Sequence, residues 1–310
     1  MSVIVIGNFD GVHLGHCAVL NMAIDISEKI GQEAIAFTFK NHPKNYFDKS
    51  NPLKLLSSND DKEALIKKQG INKIIFQDFS SEFSEIKTPE FFLYLKNKFG
   101  CKHIVCGQNF SFGHDRINDE KTLKNIARDL KLNITLVPLL SINGETVSST
   151  LIRTSLSKGN VKKAADMLGR SYSVISAVEH GRRIGSMMGF PTVNLKMKEY
   201  LAYPRRGVYS VFAEYGDCFW LGCTNIGVRP TITDKNSGIP SFETHLLSCF
   251  EGDSDDTDLY NRRLRIYFLD YIRDERKFGS VKELKAQISK DCLIIKDKYS
   301  CLANGFMKFI

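Results

Sequence analysis

Short apolar runs and amphipathic stretches alternate over about the first 140 residues of the chain. Residues 3–6 (VIVI) end at Gly7 and are typical of a strand that is buried on both faces. Residues 16–30 then place apolar side chains at helical spacing, and Gly31 is suited to end that helix. Further strands are predicted at 34–39, 72–76, 102–107 and 133–139, with helices between them. This alternation predicts an α/β domain built on a doubly wound parallel sheet.

The pattern changes after Arg170, where short strand-like segments are separated by Gly and Pro. In residues 263–269 (RLRIYFL) apolar and polar side chains alternate with a period of two, as in a half-buried antiparallel strand. Residues 281–299 return to amphipathic helical spacing. We therefore predict two domains, 1–165 and 171–305, with a boundary near 165–172. The second is expected to be a small antiparallel β-barrel that ends in a helix.

Charge and cysteine content narrow the class of protein. The 310 residues include 43 basic and 35 acidic side chains, a net charge of +8, which suits anionic ligands or a solvated surface. There is no long Lys/Arg tract with interleaved aromatic residues, so nucleotides are favoured over nucleic acid as ligands. The eight cysteines are scattered without a CxxC pair and are expected to be reduced. With no leader-like segment and no membrane-length apolar run, we expect a cytoplasmic protein that binds no membrane.

The stretch GNFDGVHLGH, Gly7 to His16, follows the first strand and opens the first helix. Ligands of open α/β sheets bind beyond the carboxyl ends of the strands, where a helix N-terminus offers backbone N–H groups to phosphate. His13 and His16 are three residues apart, so both imidazoles can face one polyphosphate and donate hydrogen bonds to it. Two surface histidines on an ordinary helix turn are the alternative interpretation.

The form GxFDGVHxGH resembles the signature of the prokaryotic bifunctional riboflavin kinase/FMN adenylyltransferase family, within the nucleotidyltransferase superfamily. Residues 105–113 (VCGQNFSFG) and 147–153 (VSSTLIR) are similar to two further family segments. The segment at 38–47 (TFKNHPKNYF) is similar to a third, with Asn41 where proline is expected. The resemblance implies that ATP for adenylylation is bound by Gly7, Asn8, Phe9, Asp10, His13, His16, Ser148, Ser149, Thr150 and Arg153.

Roles within this first set follow from the same resemblance. His13, His16 and Arg153 are expected to act on the phosphates, and Asn109 to position the flavin or the nucleotide. Asp10 either supports the turn or touches a metal indirectly, and the sequence leaves both open. Taken alone, Ser148 to Thr150 would favour a plain helix N-cap over a phosphate site.

A second motif lies in residues 180–195 (HGRRIGSMMGFPTVNL). Its glycines at four-residue spacing fit plain turns as well as a backbone wrapped around a ligand. The GFPTVN portion, however, resembles the GFPTAN signature of riboflavin kinase. The resemblance implies a Mg²⁺ held by Thr192 and Asn194, whose neutral oxygens suit a hard cation. It also implies binding of the kinase nucleotide by Gly181, Gly185, Gly189, Pro191, Thr192 and Asn194.

The barrel half also supplies a candidate base. Residues 242–250 (FETHLLSCF) resemble a family strand whose glutamate takes the proton of the ribityl hydroxyl, which makes Glu243 the candidate. Residues 272–278 (IRDERKF) resemble a segment that places Arg273 and Glu275 at the flavin or ATP pocket. Four residues of this half depart from the family pattern: Ser186 for arginine, Met188 for leucine, Ser248 for aspartate and Asn261 for glycine.

The resemblance covers essentially the whole chain and implies a bifunctional enzyme. Riboflavin and ATP would give FMN in the second domain, and FMN and ATP would give FAD and pyrophosphate in the first. ATP, Mg²⁺ and the flavins are the expected small-molecule partners, and the oligomeric state is left open. The alternatives are a protein that retains one of the two activities, a non-catalytic flavin-binding regulator, or a transferase that acts on nucleic acid.

Overall fold

The computed structural model describes residues 1–179, 192–228, 240–251 and 259–299. The chain divides into two compact units, Met1–Ser149 and Thr150–Ile310. This division falls earlier than the boundary near 165–172 that the sequence predicts, so the limits 1–165 and 171–305 stay a prediction. Among the described residues, no helix has both the length and the apolar character needed to cross a bilayer.

The first unit is built on five parallel strands in the order β3-β2-β1-β4-β5. Apolar residues alternate between two cores along the central strand, because Ile4 and Ile6 pack on one face of the sheet and Val3 and Val5 on the other. Coverage of both faces explains why this strand is continuously hydrophobic. The strands are β1 (Ser2–Ile6), β2 (Glu33–Phe39), β3 (Lys73–Gln77), β4 (Cys101–Gly107) and β5 (Asn133–Val137).

Helices cover both faces of this sheet, which confirms the predicted doubly wound architecture. They are α1 (Leu14–Lys29), α2 (Pro43–Phe47), α3 (Asn59–Lys68), α4 (Ser81–Ser84), α5 (Thr88–Phe99) and α6 (Glu120–Asp129). A two-residue hairpin follows, with β6 (Ser141–Ile142) paired to β7 (Glu145–Thr146). The chain leaves β1 to one side for β2 and later returns to its other side for β4, so the switch point of the sheet lies between β1 and β4.

The second unit is a closed antiparallel barrel in the strand order β10-β11-β12-β9-β8-β13, which confirms the predicted β-barrel. Two helices precede it, α7 (Ser149–Ser157) and α8 (Val161–Leu168). Its strands are β8 (Tyr172–Glu179), β9 (Thr192–Leu195), β10 (Gly207–Tyr215), β11 (Cys218–Val228), β12 (Pro240–Glu251) and β13 (Arg263–Arg273). The terminal helix α9 spans Val281–Tyr299, as the periodicity predicts. It packs Cys292, Ile295 and Tyr299 against the outside of the barrel.

Candidate active sites

The turn between β1 and α1 has an unusual backbone. Phe9 and Val12 take left-handed conformations with φ of 47° and 37°, and Gly11 lies between them at 78°. A left-handed backbone is uncommon for residues with a Cβ, and most of all for β-branched or bulky ones such as Val12 and Phe9. Both side chains are buried, so the surrounding core holds this strained turn in place. Strain of this kind clusters at functional sites, and here it lies at the switch point of the sheet.

Two glycines of the turn leave no room for a side chain. A Cβ on Gly7 would lie 2.8 Å from the ring of Phe9, and a Cβ on Gly11 would lie 2.9 Å from the side chain of Leu56. The glycines of the motif are therefore required by the packing of the turn itself. A ligand that approaches this backbone meets no side chain at those positions.

The two histidines of the motif lie face to face at the start of α1. Their ring centroids are 3.6 Å apart, with 13° between the ring planes, and Phe9 contacts the ring of His16 edge-on. His13 is the N-cap residue, and its Nδ1 accepts the backbone N–H of His16 at 3.2 Å. In the neutral ring this leaves the proton on Nε2, the atom able to donate to an anion. The structure thus pairs two imidazoles at the positive end of a helix.

Asp10 is buried and stabilises the turn through hydrogen bonds. Its side chain is buried, and Oδ1 accepts the N–H of Leu56 at 2.8 Å. The backbone N–H of Gly11 donates to Ser57 at 3.1 Å, and the hydroxyl of Ser149 donates to the Asp10 carbonyl at 2.9 Å. Of the two roles left open for Asp10, these contacts favour support of the turn.

Asn8 and Asn109 lie at the same edge of the sheet, since β1 and β4 are neighbours and both residues follow the carboxyl end of their strand. The carbonyl of Asn8 accepts the hydroxyl of Thr38 at 3.2 Å. Its side-chain Oδ1 is buried and has no hydrogen-bond partner within the part of the chain that the structure describes. Asn109 is exposed in the turn after Gly107. Both amides therefore lie where the ligands of such sheets bind.

The remaining predicted residues of the first site lie along α7. Ser148 is half-buried immediately before this helix, and Ser149 begins it. Thr150 is exposed and Arg153 is half-buried, and both belong to the second unit. The predicted contacts of Thr150 and Arg153 with phosphate stay a prediction.

The second set of predicted residues lies on the outer surface of the barrel. Inside the barrel, Thr224 and Thr244 are fully buried and hydrogen-bonded to each other at 2.7 Å. Their chain neighbours Asn225 and Glu243 are paired by the strand register and therefore share the outer face. We call the residues aligned by this register the outer row. In order around the barrel it consists of Glu179, Asn194, Glu243, Asn225, Val208 and Arg273.

The outer row brings together the predicted base and one of the predicted metal ligands. Glu243 is exposed on β12 and lies directly opposite Asn194 on β9. Thr192 is two residues from Asn194 and thus on the same face, opposite His245. A hydroxyl, an amide and a carboxylate are therefore adjacent on two neighbouring strands. The other predicted residues of this motif, Gly181, Gly185, Gly189 and Pro191, lie outside the described residues, as do Ser186 and Met188.

Family comparisons agree with this division of the chain. Residues 1–151 match the family model for FAD synthetase, and residues 168–299 match the model for riboflavin kinase. A bifunctional riboflavin kinase/FMN adenylyltransferase from Buchnera aphidicola is 33% identical, over 98% of this chain and 95% of that protein. The chain belongs to the bifunctional riboflavin kinase/FMN adenylyltransferase family. It is thus a transferase with both activities, which confirms the family and function predicted from the sequence.

Further members and one solved structure extend the comparison. The bifunctional riboflavin kinase/FMN adenylyltransferase of Bacillus subtilis is 33% identical, over 94% of this chain and 90% of that protein. A crystal structure from Streptococcus pneumoniae, described as a macrolide-efflux protein, is similar with a TM-score of 0.85 and 29% identity. That similarity covers 95% of this chain and 93% of the other.

Two departures from the family pattern have a structural explanation. Asn41, where the family has proline, pairs with Phe79: its Nδ2 donates to the Phe79 carbonyl at 2.9 Å, and its Oδ1 accepts the Phe79 N–H at 2.8 Å. Asn261, where the family has glycine, has a φ of 59°. Asparagine tolerates this left-handed conformation better than most residues. Ser248 is half-buried opposite Leu221 on β11, and nothing in the structure explains its replacement of aspartate.

Two residues at the end of β13 and just after it lie at the outer row, the surface that we also call the kinase face. Glu275 accepts a hydrogen bond from the side chain of Asn225 at 3.1 Å, which places its carboxylate beside the outer row. Gly227 leaves the space that this carboxylate occupies. Arg273 belongs to the outer row, but its guanidinium forms a bidentate pair with the buried Asp291 of α9, in which Nε donates to Oδ1 at 3.1 Å and Nη2 donates to Oδ2 at 2.7 Å. The Arg273 side chain is therefore anchored to the terminal helix.

Sequence reasoning missed several residues that support these sites. Asn225 links Glu243 to Glu275, and Asp291 holds Arg273, but both relations depend on strand register and long-range packing. The segment from Leu56 to Lys62, which supports the first turn, carries no family motif that we singled out. A lysine at a core-facing position of an amphipathic helix, such as Lys62, is the signal that could have drawn attention to it.

Proposed function

We propose that the turn from Gly7 to His16 holds the phosphates of ATP during adenylylation of FMN. The observation that carries this proposal is the stacked pair of His13 and His16 at the N-terminus of α1, at the switch point of the sheet. The imidazoles and the positive end of the helix dipole favour binding of negative charge here. Asn8 and Asn109, at the same edge, are placed to contact the nucleotide or the flavin.

The chemistry requires positioning more than proton transfer. A phosphate oxygen of FMN attacks the α-phosphorus of ATP, a new P–O bond forms, and the bond to pyrophosphate breaks. The attacking phosphate is already anionic, so no general base is needed. His13 and His16 stabilise the charge that develops on the leaving pyrophosphate, which is the kind of electrostatic contribution worth about 10²–10³ in kcat for a single donor.

A matched pair of histidine variants tests the first site. His16→Ala is expected to reduce FAD formation from FMN and ATP by about 100-fold. His114→Ala is the control, because His114 is exposed in the same unit and pairs only loosely, at 3.7 Å, with Glu85. Formation of FMN from riboflavin in both variants reports on the second unit. Wild-type rates of FAD formation in His16→Ala would refute this assignment.

For the second unit, we propose that Glu243 orients the ribityl hydroxyl of riboflavin and accepts its proton. The observation that carries this proposal is the strand register. It places Glu243 directly opposite Asn194, and Thr192 lies two residues from Asn194 on the same face of β9. The hydroxyl oxygen attacks the γ-phosphorus of ATP, the bond to ADP breaks, and the proton passes to the carboxylate. Glu275, held by Asn225, borders the same face and is proposed to contact a substrate.

The donor set of this face fits a magnesium ion. Thr192 supplies a hydroxyl and Asn194 an amide oxygen, both neutral and both on one face, and hard cations prefer oxygen ligands completed by nucleotide phosphates. When bound, Mg²⁺ would neutralise charge on the transferred phosphoryl group. Among the described residues no cluster of three or more His, Cys, Asp or Glu side chains offers an all-protein metal site.

Glu243→Gln, with Asp217→Asn as control, tests the kinase assignment. Asp217 is exposed in the turn between β10 and β11, away from the outer row. Glu243→Gln is expected to lose riboflavin phosphorylation by about 10²-fold or more, since general base catalysis contributes 10²–10⁴. Conversion of supplied FMN to FAD should continue unchanged. An active Glu243→Gln kinase would exclude the carboxylate as the base.

The place of action and the domain limits complete the proposal. We infer that the enzyme works in the cytoplasm, and the cysteines among the described residues, none of which forms a disulfide, support this inference. The domain limits are proposed as 1–165 for adenylylation and 171–305 for phosphorylation, so that α7 and α8 belong with the first activity.

A further inference from the structure

Lys62 occupies an unexpected position for a charged residue. It lies on α3 one turn before the fully buried Ile66, on the face of the helix that packs into the unit. Lys62 is 7% exposed, whereas the side chains of Lys67 and Glu63 on the same helix are 49% and 44% exposed. An apolar residue is the usual occupant of such a position.

The ammonium of Lys62 lies at the end of β2. Its Nζ donates to the carbonyl of Phe39, the last residue of β2, at 3.1 Å and lies 5.8 Å from the centre of the Phe76 ring. Asp10 attracts the charge of Lys62 electrostatically. Since Asp10 is itself buried, the two opposite charges compensate each other behind the strained turn.

The charge of Lys62 is costly where it lies. Burial lowers the pKa of Lys62 to about 8, and the attraction of Asp10 offsets only part of that effect. A methionine of similar length would fill the same space without this penalty. A costly charge beside a strained ligand-binding turn indicates a role in function rather than in stability.

The neighbouring contacts point to the same turn. The N–H of Leu56 donates to Asp10, and the N–H of Gly11 donates to Ser57, so the segment that leads into α3 already holds the turn at two points. Ser58 then caps the N-terminus of α3, the helix that carries Lys62. Lys62, on the helix that this segment opens, adds an electrostatic attraction to Asp10.

We propose that Lys62 is a positioning residue of the adenylyltransferase, which neutralises Asp10 and thereby holds the turn from Gly7 to His13 in the conformation that binds ATP. The proposal rests on the function assigned above to that turn. Without the ammonium, Asp10 loses an opposite charge that offsets its own in this buried region. The turn then relaxes and the phosphate donors shift.

The test compares Lys62→Met with Lys67→Met, an exposed lysine on the same helix. Lys62→Met is expected to lower kcat/KM for ATP in FAD formation by about 10- to 100-fold, as misplacement of reactant-binding groups does. The KM for ATP should rise while the KM for FMN stays unchanged. Riboflavin phosphorylation in the same protein, and all rates of Lys67→Met, should match wild type.

The difference between the KM for ATP and the KM for FMN distinguishes a positioning role from a merely structural role. A structural role would reduce the amount of folded first unit, which lowers the apparent kcat and leaves both KM values unchanged. Hydrogen exchange provides the second readout: peptides covering 7–13 should exchange faster in Lys62→Met, while β4 and β5 keep their protection. Wild-type kinetics, or a uniform loss of protection across the sheet, would overturn the proposal. Failure of the wild-type protein itself to form FAD would instead refute the function proposed for the turn.

Discussion

Removal of the Asp291 carboxylate should strongly destabilise the kinase unit. Asp291 is 2% exposed on α9, and the side chain of Arg273 on β13 is 20% exposed. Three hydrogen bonds of 2.7, 2.9 and 3.1 Å join the guanidinium to the carboxylate, and Gln287 donates to the same carboxylate at 2.6 Å. This pair fastens the terminal helix to the strand that closes the barrel.

The magnitude follows from what Asp291→Ala leaves behind. Loss of the Asp291 carboxylate leaves the charge of Arg273 poorly solvated and without its partner. For buried pairs this lowers the free energy of unfolding by about 3–5 kcal/mol. In urea, with a slope of about 2 kcal/mol per M, this corresponds to a decrease of about 1.5–2.5 M in the unfolding midpoint. Replacement of both partners, as in Arg273→Met with Asp291→Leu, should recover most of the loss.

The protein carries its own reporter for this experiment. Its single tryptophan, Trp220, is buried in β11 of the same barrel, so intrinsic fluorescence follows unfolding of this unit. Asp297→Ala, an exposed position on the same helix, is the control and should unfold at the wild-type midpoint.

Two results would refute the reasoning. One is a midpoint for Asp291→Ala within about 0.3 M of wild type, because that would assign the pair no more than the median surface salt bridge. The other is strict additivity of the two single substitutions in a double-mutant cycle, because interacting neighbours are expected to couple by 0.5–3 kcal/mol.

Three further predictions concern the turn, the kinase face and the buried lysine. Gly11→Ala forces a Cβ into a backbone with φ of 78° and against Leu56, so thermal unfolding of the first unit, followed by circular dichroism, should show a loss of about 1–3 kcal/mol. Gly227→Ala should displace the Glu275 carboxylate and lower riboflavin phosphorylation about 10-fold, with FAD formation from FMN unchanged; equal losses in both assays would contradict it. The pKa of Lys62 is lowered from 10.5 to about 8, so the unfolded state binds more protons between these values. The free energy of unfolding of wild type relative to Lys62→Met should therefore rise by about 3 kcal/mol from pH 8 to pH 10.5, and a flat difference would show that the lysine is not desolvated.

The fold was predictable because burial imposes periodicity along the chain. Strands covered on both faces appear as continuous apolar runs, the strand of residues 263–269 appears as alternation, and α9 has the helical period over its whole length. The strand, turn and helix of the first candidate site were predictable because they are contiguous in sequence. Its strained backbone at Phe9 and Val12 was not, because the strain is imposed by packing against residues far along the chain.

The kinase face shows where sequence reasoning stops. Glu243 and Asn194 could be named one by one from their motifs, but their position on opposite strands follows from a register that no local pattern encodes. The partners Asn225 and Asp291 were not found for the same reason, since each contacts its target across 18 or more residues of chain. Lys62 was overlooked because a lysine on a helix is ordinarily solvated.

The central claim is that two separate sites carry the two transfers, and isotopic labelling of ATP tests it most directly. With riboflavin as substrate, label at the γ-phosphate should enter both FMN and FAD, whereas label at the α-phosphate should enter FAD alone. Glu243→Gln should abolish incorporation of the γ label but still transfer the α label to supplied FMN. His16→Ala should still incorporate the γ label into FMN but lose transfer of the α label into FAD. Loss of both transfers from either single substitution, in a protein that remains folded, would contradict the assignment of the two activities to separate sites.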